Sequence, residues 1–189
     1  MTLARTPARI LILAFAATGL AALLAHPKRP RLVWNTTASV PLGLYILTPG
    51  ARPQVGQLVA AQPPPRLAHD LAVRGVLPLS VPLIKPVAAL PGQTVCRAGD
   101  VISIDGRFTA KARLRDRHGR PLPVWAGCRR LGPEDYLLLN AARDDSYDAR
   151  YFGALPVTSL LGTVRPLWLQ PAPAPAADRP RPGHRRGAP

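Results

Sequence analysis

Val101-Ile102-Ser103-Ile104-Asp105-Gly106-Arg107-Phe108-Thr109-Ala110 is the stretch that decides the fold class. A run dominated by β-branched residues leads into Asp-Gly, and a second short run with an aromatic and a threonine follows. Asp-Gly suits a two-residue hairpin turn, in which both central residues take positive φ. The stretch therefore predicts antiparallel strands over 101–104 and 107–110.

The same signals recur on both sides of it. Leu32-Val33-Trp34 starts extended structure, Leu44-Tyr45-Ile46-Leu47 ends at Pro49-Gly50, and residues 55–61 stop at Pro63-Pro64-Pro65. Residues 83–89 are apolar and bounded by prolines, which favours a strand, and residues 136–139 and 161–164 are further strands. A short helix is expected over 67–76. Many short strands with turn signals and little helix point to a mainly β chain, an antiparallel β barrel or sandwich-like domain.

Residues 10–25 are an almost unbroken apolar run, preceded by Arg5 and Arg9. It falls slightly short of the ~20 residues that comfortably span a bilayer and exceeds the ~7–15 of a signal-peptide core. We read 1–26 as one uncleaved transmembrane anchor, with a cleaved leader and a buried core helix as the alternatives. Arg5 and Arg9 would lie on the cytoplasmic side, while Lys28, Arg29 and Arg31 argue the opposite way. Residues 27–170 then form the exported β domain. The tail, 171–189, is rich in Pro, Ala and Arg, buries no apolar surface and is expected to be disordered.

The formal net charge of +15 is carried almost wholly by arginine, since Lys28, Lys85 and Lys111 are the only lysines. That balance suits anionic lipid headgroups of an inner membrane. Zinc-finger spacing, an aromatic RNA-binding signature and a Gly-rich phosphate loop are all missing, so no nucleic-acid partner is expected. Cys96 and Cys128 are the only cysteines, and an even pair in an exported domain reads as a disulfide stapling residues 96–128. Two buried free thiols are the alternative. A metal site with His69 or His118 is not expected, because no ligand pair has close spacing.

Two segments carry the chemistry. Thr37-Ala38-Ser39-Val40-Pro41-Leu42-Gly43-Leu44-Tyr45 offers a serine on a backbone that Val40-Pro41 and Leu42-Gly43 force into a turn. Such a turn lifts the hydroxyl into a cleft and leaves the Ser39 N–H open to an oxyanion. Thr37, two residues earlier on an extended segment, shares that face as a second donor. Ile84-Lys85-Pro86 places a lone lysine in an apolar run with no carboxylate within ten residues of it. A desolvated lysine loses its proton and acts as a base, so Ser39 and Lys85 suffice for acyl transfer without histidine. An ordinary Ser-x-Pro turn and a solvent-facing lysine on an edge strand are the competing readings.

A third segment is Arg143-Asp144-Asp145-Ser146-Tyr147-Asp148-Ala149-Arg150-Tyr151-Phe152-Gly153. In extended form Ser146, Asp148 and Arg150 face one way, which allows an Asp148–Arg150 pair and a contact from Ser146 to a lysine. A solvated charged loop fits the composition equally well.

In this order, behind an N-terminal anchor, the three segments resemble the boxes of the type I signal peptidase (leader peptidase) family. They more closely resemble its TraF-type conjugative-transfer branch, over roughly residues 34–167. Val40-Pro41 after the serine, Pro86 after the lysine, and Asn140-Ala141-Ala142 ahead of the last box depart from the leader-peptidase pattern toward that branch. The resemblance implies a membrane-anchored Ser-Lys endopeptidase with its β domain in the periplasm. Ser39 would be the nucleophile and Lys85 the general base. Ser146 would orient the lysine, Asp148 with Arg150 would support the site, and Ser39 with Thr37 would form the oxyanion hole. The substrate it implies is an exported precursor, a conjugative pilin of a type IV secretion system first among them, cut after small residues and released by water or by an amine. No cofactor is implied. A general leader peptidase is the alternative within the class, and a non-catalytic basic periplasmic scaffold of a secretion assembly is the alternative outside it.

Overall fold

The computed structural model of this 189-residue chain describes residues 12–15 and 31–171. The expected anchor over 1–26 and the expected disordered tail over 171–189 therefore lie outside the described residues, apart from one helical turn at 12–15 and Pro171. Among the described residues no helix is long and apolar enough to cross a membrane.

The hairpin read from Asp105-Gly106 is present. Strands β6 (Val101–Ile104) and β7 (Arg107–Lys111) pair antiparallel, and Asp105 and Gly106 both take positive φ, 49° and 76°. With β5 (Thr94–Ala98) and β8 (Gly127–Arg130) they make a four-stranded sheet in the order β7-β6-β5-β8. Cys96 and Cys128 face each other across β5 and β8 with Cα atoms 4.0 Å apart, and they are bonded.

The second sheet holds seven strands: β1 (Arg31–Asn35), β2 (Gly43–Thr48), β3 (Leu58–Ala61), β4 (Leu83–Ala89), β9 (Asp135–Leu138), β10 (Leu155–Pro156) and β11 (Leu160–Leu169). Their order is β1-β2-β11-β3-β4-β9-β10, with every pairing antiparallel. The strand that comes last in sequence is thus inserted between β2 and β3. The chain is mainly β and antiparallel, as its sequence pattern requires. Strand β3 is shorter than the run that suggested it, because Val55 and Gly56 are spent in a turn.

Helix α1 (Pro65–Val73) begins on the third proline of Pro63-Pro64-Pro65, where a missing N–H is harmless. It buries Leu71 against Val59, Leu83, Val87 and Leu138, so the largest apolar cluster lies between α1 and the seven-stranded sheet. The turn-rich stretch between β7 and β8 returns to this core. Ala112 and Leu122 are buried in it, and Arg120 donates to the carbonyls of Val73 and Arg74 at the C-terminal end of α1.

Candidate active site

The loop between β1 and β2 carries Ser39, and its shape follows from one buried side chain. Asn35 accepts from Thr37 N through Oδ1 at 3.1 Å, an Asx turn. Its Nδ2 donates to the carbonyls of Thr37, Val40 and Pro41 at 2.9–3.1 Å. Tyr45 Oη donates to Pro41 O at 2.7 Å, and Asn140 Nδ2 donates to Ser39 O. Neither Asn35 nor Asn140 was singled out as a site residue by sequence reasoning. Asn35-Thr36-Thr37 carried the Asx-turn signal for the first, but nothing local marks the second, which acts across a hundred residues.

Gly43 answers a different need. Its φ is +148°, and a Cβ there would meet Trp168 O of β11 at 2.2 Å, so only glycine lets the two strands approach.

Residues 37–40 are bends and a turn, not the extended segment on which Thr37 is expected to sit beside Ser39. The two hydroxyls are nonetheless 3.3 Å apart. Thr37 Oγ1 also lies 3.1 Å from Asn35 Oδ1. An amide oxygen only accepts, so Thr37 donates to Asn35 and Ser39 donates to Thr37. In this arrangement the Thr37 proton is directed to Asn35, and Thr37 accepts from Ser39. The Ser39 N–H has no protein acceptor among the described residues.

Lys85 lies on β4, between β3 and β9, so the edge-strand reading does not hold. Only 5% of it is exposed. It shares a face with Leu83 and Val87, which belong to the apolar cluster under α1. Its Nζ donates to Ser146 Oγ at 2.8 Å. Burial pushes its pKa from 10.5 down to about 8; Asp148 pulls it up and Arg150 pushes it down, both more weakly.

The last box is not extended. Asp148 is the N-cap of a short helix, α2 (Ala149–Phe152), which ends at Gly153 with φ 72°. The sequence carried that signal, an Asp ahead of Ala-Arg-Tyr-Phe-Gly. The cap satisfies two backbone donors at once: Asp148 accepts from Arg150 N at 3.1 Å and from Asn140 N at 3.0 Å. Ser146, Asp148 and Arg150 are all buried, which rules out the solvated loop. Arg150 Nε lies 3.7 Å from Asp148 Oδ1, while its Nη atoms donate to the carbonyls of Arg143 and Asn140 at 2.8 and 2.6 Å. Complete burial raises the Asp148 pKa even though Arg150, Lys85 and two N–H groups oppose it.

A second buried arginine reaches this cap from the other sheet. Arg97 on β5, next to Cys96, donates to Arg150 O at 2.5 Å and to Gly99 O at 3.0 Å. It is buried without a carboxylate, and burial lowers its pKa.

Ser39, Lys85 and Ser146 all open onto one cleft of about 490 Å³, floored by Leu71, Leu77 and Leu83. No hydrogen bond joins Ser39 to Lys85 within it. Among the described residues no group of histidine, cysteine and acidic side chains has the geometry of a metal site. The arrangement provides a hydroxyl on a constrained turn, an amine whose pKa burial lowers to about 8, and a free N–H beside the hydroxyl.

Residues 3–169 match the protein family described as "Signal peptidase, peptidase S26". The chain is 39% identical over 144 residues to "Conjugal transfer protein TraF" of Agrobacterium fabrum, covering 71% of this chain and 80% of that protein. It is 38% identical over 141 residues to "Probable conjugal transfer protein TraF" of Sinorhizobium fredii, with 69% and 73% covered. "Plasmid transfer protein TraF" of Escherichia coli is 27% identical over 142 residues, with 70% and 80% covered. Among solved structures, a signal peptidase I from Enterococcus faecalis V583 is similar at 20% identity and a TM-score of 0.36, covering 60% of this chain and 97% of that one.

Proposed function

The chain belongs to the signal peptidase family, and from that premise we infer that it is a serine endopeptidase working through Ser39 and Lys85. The observation that carries this is the state of Lys85: buried, without a carboxylate in salt-bridge distance among the described residues, held by Ser146 and open to the cleft that Ser39 lines. Neutral Lys85 takes the Ser39 proton as Oγ attacks the scissile carbonyl, and the oxyanion forms beside the Ser39 N–H. Lys85 then protonates the leaving amine. The acyl group remains on Ser39 until water or another amine displaces it. Ser146 fixes the lysine, Asp148 and Arg150 hold the turn that carries Ser146, and the Ser39 hydroxyl turns from Thr37 to Lys85 before its proton moves. Catalysis by this pair requires Ser39 Oγ and Lys85 Nζ to come within ~2.6–3.2 Å in the substrate complex.

The names of the relatives favour a place in conjugation. The substrate is then an exported precursor, a pilin first among them, met at the periplasmic face of the inner membrane. A pilin whose own N-terminal amine reaches the acyl-enzyme closes into a ring. A tethered amine has an effective molarity of up to ~10⁵ M or more when well oriented, enough to outrun water. A general leader peptidase differs only in substrate breadth, and a scaffold has no use for a buried lysine beside a constrained serine.

The test is incubation of the full-length protein in detergent with candidate pilin precursors, read by intact mass. Ser39→Ala and Lys85→Ala should each abolish processing, and the double variant should be no worse than either, because the two act as a unit. Lys85→Arg should fail as well, since guanidinium stays protonated. Processing by Ser39→Ala would refute the mechanism. A cyclic product would be one water lighter than the linear one and blocked to N-terminal sequencing; a linear product would mean simple hydrolysis.

A further inference from the structure

Part of the cleft lining is basic in a way the proposed chemistry does not use. Arg113, Arg115 and Arg117, all from the stretch between β7 and β8, line the same cleft as Ser39 and Lys85. All three are exposed. The two aspartates of the cleft are engaged elsewhere. Asp116 pairs with Arg120 at 2.7 Å and lies 3.6 Å from Arg74, and Asp145 pairs with Arg143 at 3.0 Å. Among the described residues no carboxylate lies within 4.0 Å of Arg113, Arg115 or Arg117.

Their other contacts leave the charge in place. Arg115 Nη1 donates to Gly119 O at 2.7 Å, and Arg117 Nε donates to His118 Nε2 at 3.1 Å. Arg113 exerts a minor pull on Asp145 from beyond contact. Three exposed arginines without a carboxylate partner therefore line a cleft that leucines and a nucleophile also line. An apolar floor with a nucleophile beside it takes a polypeptide. A guanidinium fork takes a carboxylate in a bidentate pair.

We propose that Arg113, Arg115 and Arg117 form a carboxylate-binding wall that selects peptide substrates carrying an acidic group close to the scissile bond. The inference rests on the peptidase reading above and adds to it a substrate chemistry. The carboxylate is supplied either by an Asp or Glu side chain or by the C-terminus of a peptide that ends in the cleft. Because the wall is exposed, its attraction is screened by salt.

The test separates binding from turnover. Fluorescein-labelled, alanine-rich peptides are made neutral, with one glutamate moved stepwise across the centre, and with a free-acid or an amidated C-terminus. Binding to full-length Ser39→Ala protein is read by anisotropy, and cleavage by the unsubstituted protein is read by mass spectrometry. At low salt the best acidic peptide should bind about ten-fold more tightly than the neutral one, equivalent to roughly 1.4 kcal/mol. The advantage should shrink as salt is raised. It should vanish in R113Q/R115Q/R117Q and invert in R113E/R115E/R117E. A gain from glutamate whatever the terminus assigns the side chain, and a gain only from the free acid assigns the C-terminus. Equal binding of acidic and neutral peptides, or a preference that survives in the triple glutamine variant, overturns the proposal. So does a triple variant that loses only its binding to phosphatidylglycerol vesicles, which would make the wall a lipid surface. If the preference is found and no peptide is cut, the peptidase reading fails and the wall stands.

Discussion

Replacing Lys85 by methionine should stabilise the fold while removing activity, by an amount that depends on pH. Methionine keeps the length and apolar stem of lysine and drops the charge. In the folded chain the ammonium has a pKa of about 8 against 10.5 for the exposed group. Because the folded value is the lower one, the unfolded chain binds more protons between those two values, and wild-type stability rises with pH across that window. Below pH 8 the protein carries the whole cost of a buried cation. At ~1.4 kcal/mol per unit, the difference amounts to about 3 kcal/mol, of which about 2–3 kcal/mol should be recovered between pH 7 and 10. Methionine leaves Ser146 Oγ without the lysine, which returns about 1 kcal/mol of cost at every pH. Lys85→Met should therefore be more stable than wild type by about 2 kcal/mol at pH 7, and the gap should close or reverse near pH 10. Urea unfolding of both proteins with the disulfide intact, at intervals from pH 6 to pH 10, measures this directly. A stability difference that stays flat across the range would show that Lys85 is not desolvated, and with it the reason for assigning it as a base would go.

The remaining expectations are independent of that one. Processing should rise with pH through about 8, the folded pKa of Lys85, because the base works only when neutral; an acid optimum in a pH–rate profile would contradict this. Asp148→Asn leaves the Arg150 guanidinium buried without its carboxylate and should cost about 3–5 kcal/mol in chemical unfolding. A cost under ~1 kcal/mol would mean the pair does not hold the cap. Cys96→Ser with Cys128→Ser opens a loop of 32 residues and should cost about 3–4 kcal/mol of stability, yet change turnover of the surviving enzyme little. Finding both thiols alkylatable in unreduced protein from the periplasm would deny the bond in the cell. Asn35→Ala frees three carbonyls of the serine loop and should lower kcat while leaving the pH profile where it is; a shifted profile would mean Asn35 acts on Lys85.

How much of this was legible depended on range. The Asp105-Gly106 hairpin and the strand around Lys85 are local signals, and each appears where the residues place it; helix α1 runs over Pro65–Val73 instead of the expected 67–76, because Pro65 suits a first helical turn as well as it stops a strand. Asp148 was read as part of an extended run because alternation was the pattern looked for, although Asp-Ala-Arg-Tyr-Phe-Gly also spells a capped turn. Thr37 was given a donor's role that Asn35 takes from it, since a side chain's partner is a matter of three dimensions. Arg97 and Asn140 reach Arg150 and Ser39 from distant parts of the chain, and no spacing in the sequence announces such contacts. The stretch after β7 is basic and turn-rich, a composition typical of surface. It is surface on one side, but Ala112 and Leu122 tie it into the core, and that attachment is what brings its arginines to the cleft.

The insertion of β11 between β2 and β3 bears on when the protein becomes reactive during its own synthesis. The serine loop hangs on β2, and the lysine strand joins the sheet through β3; the pairing between these halves runs through β11 alone. Translation delivers β11 after every other strand. Until residues 160–169 are made and threaded into the gap, a nascent chain carries Ser39 beside the β1-β2 hairpin and Lys85 in the β3-β4-β9-β10 ladder, with no strand pairing between the two. Non-local pairing of this kind is slow, because the loop entropy is spent before any contact forms. On the peptidase reading proposed above, a chain interrupted before β11 holds Ser39 and Lys85 on fragments that no strand pairing joins, so the proposed site is not assembled.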